Sequence, residues 1–411
     1  MAIIRPFKAV RPARGQARQV STLSYETYST GARQRLMDAN PRSFLHIINA
    51  GYGQGKKPAG TGRFQMVRGR FEAFLSQGIL IRDQQPCIYL YEQRHETGKY
   101  LGFLCATSTE DYRTNIIRRH EDTLEKRERL FSRYLSAVRF NAEPVLMMYP
   151  DRSEIAGILE QESRNQPEYD FKTPDGYGHR LWPISDTATL DRLGRLFGEQ
   201  EALYIADGHH RSASSHLMAL EARASNPRHT GREPYNYFMS YLLPESAIRI
   251  SRYQRLLRDL NGHSRAGFLE RLSWHYQWED MGTIPWRPTE KHHFGMCLGG
   301  TFYALKLKEE NWRFTDALSR LDTHILYTTL LRPILGIDDL RNDRRIVYTS
   351  GDGQLRKMQR KIQRGEFAVG FDMTPVTVAE IKAIADAGQV MPPKSTYIEP
   401  KLRSGLTIYE F

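Results

Sequence analysis

The spacing of apolar residues switches repeatedly between the two-residue period of a half-buried strand and the 3.6-residue period of a helix. Ile4 to Pro12 reads as extended, because Pro6 and Pro12 each bias their predecessor away from helix. Phe44 to Ile48 is a short apolar run, and Phe64 to Gln77 has helical spacing. Cys87 to Tyr91 and Tyr100 to Ala106 are strand-like and flank His95-Glu96-Thr97-Gly98, which predicts a hairpin. Thr123 to Ser136 is patterned as a charged amphipathic helix and Val145 to Tyr149 as a buried strand. Arg164 to Gly178 is polar and punctuated by proline and glycine, which predicts an exposed loop or lid, with Gly176-Tyr177-Gly178-His179 as a turn within it. Leu203 to Ala206 predicts a short strand stopping at Asp207-Gly208, and helical periodicity resumes from His209 to Ala222. Tyr235 to Leu243 is a further strand. His293 to Leu298 and Thr301 to Leu307 form a hairpin around Gly299-Gly300. A helix follows over Ala317 to Leu331, then a strand over Phe367 to Asp372 and a helix over Val378 to Ala387. No fixed repeat is visible.

This alternation predicts an α/β or α+β chain with a mixed sheet. At 411 residues, two or three packed units are expected. The divisions are expected at 1–100 (a mixed, loop-rich segment and hairpin), 101–250 (a core) and 251–411 (an α/β domain). With 40% apolar and 11% aromatic residues the chain can form a core, which argues against disorder. No apolar run approaches the roughly 20 residues needed to span a bilayer. The N-terminus lacks a secretory pattern, and Cys87, Cys105 and Cys297 are too far apart for a disulfide framework or a CxxC site. The expectation is a cytoplasmic protein without a membrane partner.

Lys and Arg number 59 against 47 Asp and Glu, a net charge of +12. Such an excess suits nucleic acid or an anionic substrate. The clusters Arg118-Arg119 and Arg341 to Arg345 are interleaved with acids, no basic stripe stands out, and no helix-turn-helix with a basic recognition face is found. Nucleic acid is therefore the less favoured partner.

The most informative stretch is Ala206-Asp207-Gly208-His209-His210-Arg211. A strand that ends in Asp-Gly and passes at once into a helix exposes the helix's free N–H groups, which together with the helix dipole favour an anion. Arg211 could clamp a phosphate through two nitrogens, and His209 and His210 add donors. Asp207 could orient a hydroxyl or hold Mg²⁺ through water, or simply cap the helix. Zinc through both histidines is disfavoured, since neighbouring side chains diverge and no third ligand is spaced nearby, so no residue is assigned as a metal ligand. In the second stretch, Arg118-Arg119-His120-Glu121-Asp122-Thr123, the carboxylates either favour a helix start or make Glu121 a general base. Gly51 to Lys57 imitates a phosphate-binding loop, but its glycine spacing is one residue short and Lys57 stands where Ser or Thr belongs. Lys394-Ser395-Thr396, after Met391-Pro392-Pro393, is either a disordered end or an arm closing over a site.

With these residues in view, the chain resembles the free-serine kinases of ParB/sulfiredoxin-type fold. The motifs are Asp207-Gly208-His209-His210-Arg211 and the His120-Glu121 step. It also resembles a larger bacterial family known as a conserved domain of unknown function, through Ile4 to Pro12, Met391 to Thr396, Pro400-Lys401-Leu402 and Ser404-Gly405-Leu406. The larger resemblance covers nearly the whole chain. The kinase resemblance starts near Leu101 and leaves residues 1–100 as an N-terminal extension without a counterpart.

The kinase resemblance implies a ParB/sulfiredoxin-like core and phosphoryl transfer from a nucleotide or polyphosphate to a hydroxyl, with free L-serine as leading acceptor and O-phospho-L-serine as product. It places the catalytic base on Glu121, with Asp207 and His209 as further catalytic residues. Asp207, Gly208, His209, His210 and Arg211 would contact the donor phosphates. His120, Lys394, Ser395 and Thr396 would form the substrate end. Mg²⁺ and a donor, ATP, ADP or pyrophosphate, are implied, and the partners are a small alcohol or amino acid and the nucleotide. Arg118-Arg119 replaces a Lys-Pro of the kinases, and the stretch from Glu121 to Asp207 is longer. The alternatives are a ParB-like, nucleotide-dependent DNA-binding or regulatory protein, or another phosphate-ester enzyme. Oligomeric state stays open.

Overall fold

The structure, a computed structural model, describes residues 1–52, 60–96, 98–351 and 353–411. Of the glycine-lysine loop Gly51 to Lys57, positions 53–57 lie outside the described residues. The chain divides into two compact units. The first holds Met1–Arg119, Thr123–Ile248 and Pro400–Phe411, and the second holds His120–Asp122 and Arg249–Glu399. Residue 100, where the first of the three expected segments ends, lies within a strand of the first unit.

The first unit is built on a mixed sheet. Its strands are β1 (Ile4–Arg5), β2 (Ile88–His95), β3 (Gly98–Ser108), β4 (Ile117–Arg118), β5 (Val145–Tyr149), β6 (Tyr169–Lys172), β7 (Gly178–Ile184), β8 (Leu203–Asp207) and β9 (Tyr237–Pro244). They lie in the order β6-β7-β2-β3-β9-β5-β8-β4, with β1 added to the end of β3. β5 runs parallel to β9 and antiparallel to β8, and β8 runs parallel to β4. Alternate residues of the strands (Ile88 and Leu90, Phe103 and Cys105, Val145 and Met147, Leu203 and Ile205) share one apolar core. The helices Ser153–Ser163 and Thr187–Gly198 close it with Ile155, Ile158, Leu193 and Phe197. The mixed α/β class expected from the alternation is what the fold has.

Two helices position the candidate turn: α1 (Glu125–Val138) and α2 (His209–Ala224). α2 buries the small residues Ser212, Ala213, Ser214, Ser215 and Ala219, which allows close packing against α1. Ser132 of α1 donates to Glu221 of α2 at 2.8 Å and ties the pair together.

The second unit carries a wholly antiparallel sheet. Its strands are β10 (Tyr253–Leu257), β11 (Tyr276–Gly282), β12 (His293–Leu298), β13 (Thr301–Leu307), β14 (Ile346–Ser350) and β15 (Val369–Met373), in the order β11-β13-β12-β15-β10-β14. α3 (Gln354–Gln363) turns Leu355, Met358 and Ile362 into a core with Leu256 and Cys297.

Three expectations are corrected. Arg164 to Gly178 is not a lid, because Tyr169–Lys172 pairs with Gly178–Ile184 as the edge of the first sheet. The helix expected over Ala317 to Leu331 begins only at Asp322 and ends in a π-helical turn over Tyr327–Leu331. The basic residues are also not all scattered without a stripe. Arg356, Lys357, Arg360 and Arg364 are exposed on α3 and at its end, and no carboxylate lies between them in sequence. Among the described residues no helix is long and apolar enough to cross a membrane.

Candidate functional site

β8 enters the site through an irregularity. Ile205 pairs with Met147 and Asp207 with Leu146, so Ala206 is an extra residue in the ladder. A bulge of this kind bends the strand and re-aims the side chain that follows. Gly208 then takes φ +104°, a conformation L side chains rarely adopt, and serves as the N-cap of α2. No side chain caps the helix, so Asp207 does not take the capping role considered for it.

Arg211 folds back over this turn. Its Nη2 donates to Asp207 Oδ2 at 3.2 Å, and its Nη1 donates to Glu143 Oε1. Its Nε is buried without a hydrogen-bond partner. A Cβ placed on Gly208 would lie 2.8 Å from both Nε and Nη2, so that edge of the guanidinium faces the glycine at the start of the helix. Burial pulls Arg211 down to about 10, which leaves it charged at neutral pH. The side chain keeps 29% of its exposure and Asp207 keeps 43%, so solvent reaches both. His209 is buried and His210 half-buried. Ser212 and Ser214 turn their hydroxyls onto the carbonyls of His209 and His210 at 3.0 and 2.6 Å, which fixes the first turn.

His120, Glu121, Lys394, Ser395 and Thr396 all belong to the second unit. Met391 N donates to His120 O at 2.9 Å, bringing the His-Glu step beside the segment that leads to Lys394. The His120 side chain is buried and Glu121 is half-buried. Lys394 has φ +60°, and its carbonyl accepts from the fully buried Arg255 at 3.3 Å. Ser395 donates to Pro392 O at 2.6 Å and pairs with Thr323 Oγ1 at 2.9 Å, so its hydroxyl holds the turn in place. The segment is thus an ordered arm and not a loose end. Among the described residues no group of three or more His, Cys, Asp or Glu side chains could hold a metal ion.

Glu143 is not singled out by the sequence, and Ser404 enters only through the Ser404-Gly405-Leu406 match to the larger family. Glu143 sits before Pro144 in an irregular stretch, with no local motif around it. Its Oε2 accepts from Ser404 at 2.9 Å while Oε1 holds Arg211.

Fold and site together define a mixed α/β protein whose first unit carries a strand–glycine–helix turn with an uncapped helix start and an arginine over the glycine. The chain belongs to the family described as "Protein of unknown function (DUF1015)", whose family model matches residues 4–324. No curated protein matches it. Among solved structures it is similar to a free serine kinase with a glutamate-to-alanine substitution in complex with AMP, at 13% identity over 78% of this chain and 92% of that one, with a TM-score of 0.38. It is also similar to a conserved hypothetical protein from Pyrococcus furiosus, at 14% identity over 70% and 90%, with a TM-score of 0.34. SbnI with a C-terminal truncation, from Staphylococcus aureus, is similar at 11% identity over 75% and 82%, with a TM-score of 0.36.

Proposed function

We propose that the protein is a small-molecule kinase that transfers a phosphoryl group from ATP, ADP or pyrophosphate to a hydroxyl, with free L-serine as the leading acceptor. The observation that carries this reading is the β8–α2 turn. Its helix start has no capping side chain, and the Nε of Arg211, on the edge facing Gly208, has no acceptor. The sequence motifs shared with the free-serine kinases supply the reaction class.

In this reading the turn and Arg211 bind donor phosphates, and His209 and His210 line their approach. Glu121 orients or deprotonates the acceptor hydroxyl, and Lys394 offsets charge. Phosphoryl transfer asks the protein mainly for positioning and charge stabilisation. Mg²⁺ fits as a passenger of the donor, since it needs only one or two carboxylates besides phosphate oxygens, and the half-exposed Asp207 offers one. When bound, it supplies charge neutralisation on the donor oxygens. The test is mass-spectrometric detection of O-phosphoserine from protein, Mg²⁺, L-serine and each donor. Absence of phosphoserine from folded protein with every donor contradicts the serine assignment.

A second reading rests on the basic face of α3, whose four exposed Arg and Lys side chains favour a polyanion such as nucleic acid. Affinity for duplex DNA that falls steeply with salt would support it. Binding that does not exceed that of a variant with Arg356, Arg360 and Arg364 changed to Gln would remove it.

A further inference from the structure

Glu143 faces two ways. One carboxylate oxygen holds Nη1 of Arg211 and the other accepts from Ser404, 261 residues further along the chain. The C-terminal segment is bonded to each residue of the stretch 139–143 that carries Glu143. Phe411 N donates to Arg139 O at 3.0 Å, Tyr409–Glu410 pairs with Phe140–Asn141, and Gly405 N donates to Ala142 O at 2.9 Å. Ser404 is itself fixed from the other side, because Arg403–Ser404 pairs with Thr22–Leu23. Gly405 completes the clamp with φ +78°, and a Cβ there would lie 2.5 Å from the Phe44 ring, so only glycine fits the bend.

We propose that Glu143 is a positioning residue for Arg211, and that the C-terminal segment sets Glu143 through Ser404. This rests on reading the β8–α2 turn as the anion site. A guanidinium offers donors on two edges. Glu143 takes Nη1, at the end remote from Nε, while Nε stays buried and unpaired and, with Nη2, faces Gly208. Asp207 holds Nη2 as well, but it is half-exposed and follows a bulge, so Glu143, with 17% of its side chain exposed, is the firmer anchor. Without Glu143 the guanidinium can turn its unpaired Nε away from the helix start. A ligand would then have to select the productive orientation, at a cost in affinity.

The opposing view is electrostatic. Glu143 and Asp207 place two carboxylates beside one guanidinium, and the neighbouring Arg127 and Glu26 pair with each other. On charge alone, removing Glu143 makes the turn more attractive to an anion. The two accounts therefore differ in the sign of the effect.

The experiment is calorimetric titration of the full chain with pyrophosphate and with ADP, both with Mg²⁺, for wild type, Glu143→Ala, Glu143→Gln and Ser404→Ala, with the thermal midpoint recorded for each. Glu143→Ala is expected to bind about tenfold more weakly, equivalent to about 1.4 kcal/mol. Glu143→Gln is expected to recover most of that loss, because its amide oxygen still accepts from Arg211. Glu143→Ala binding as tightly as wild type, or more tightly, overturns the proposal. If Glu143→Ala does not fold, Ser404→Ala decides: it keeps both charges, about threefold weaker binding is expected by the same conversion, and unchanged affinity overturns the proposal. No binding by the wild type withdraws the reading of the turn as an anion site, and this inference with it. Wild-type binding without turnover leaves the inference standing and removes the kinase reading alone.

Discussion

Gly208 and Arg211 compete for the same volume: the position a Cβ would take on residue 208 is 2.8 Å from the Nε and Nη2 of Arg211. The guanidinium rests where any other residue would carry a side chain. The glycine is required twice, once for φ +104° and once for this approach.

Gly208→Ala tests that relationship. The strained backbone is expected to cost about 1–2 kcal/mol of stability, and the methyl group displaces Arg211 from the helix start. A lower thermal midpoint and weaker binding of Mg²⁺-pyrophosphate are the expected outcome. A variant that binds pyrophosphate as tightly as wild type would show that the arrangement is incidental.

Replacing Glu121 separates chemistry from binding. Glu121→Gln keeps the size and polarity of a half-buried side chain but removes the base. Turnover is expected to fall by about 10²–10⁴, the usual contribution of a positioned general base. Nucleotide affinity, measured by calorimetry, is expected to stay within a few-fold, because the phosphate contacts are assigned to Arg211 and the start of α2. Wild-type turnover in this variant removes Glu121 from the mechanism.

His179 ties stability to acidity. It is buried between the Tyr91 hydroxyl, 2.9 Å from Nδ1, and the Thr173 hydroxyl, 3.0 Å from Nε2. Burial, reinforced by nearby Arg403, pulls its imidazole down to about 3. The unfolded chain takes up a proton as pH falls below about 6.5, whereas the folded chain resists until about 3. The stability His179 contributes is therefore complete above about 6.5 and lost on acidification, with a slope of about 1.4 kcal/mol per pH unit. Urea midpoints between pH 6.5 and 4.5 are expected to fall less steeply in His179→Gln than in wild type. Equal slopes would mean that the ring titrates freely in the fold.

What was legible in the sequence follows physical lines. Val145 to Tyr149 stood out because every residue of that central strand is buried, leaving an unbroken apolar run. Asp207-Gly208 was readable because strand period, glycine and helix period meet within a few residues. Tyr169–Lys172 was missed because an edge strand pairs on one side only, and its exposed Asp170 and Lys172 make it read as loop. The residues of α3 looked scattered because Arg356, Arg360 and Arg364 are four apart, and only the winding of a helix gathers them onto one face. The Glu143–Ser404 tie spans 261 residues and carries no local pattern. The Pro393 to Thr396 segment left two readings open. Its order comes from the buried Arg255 and from Thr323, and neither contact is visible in the segment itself.

The most direct measurement of the central claim is phosphorus NMR of the purified protein with Mg²⁺ and L-serine, supplied separately with ATP, ADP and pyrophosphate. The expected result is a phosphoserine resonance that grows with one donor as that donor declines, and that is lost in Glu121→Gln. Unchanged donor spectra in all three samples, from protein shown to be folded, would contradict the assignment of a phosphoryl-transfer enzyme.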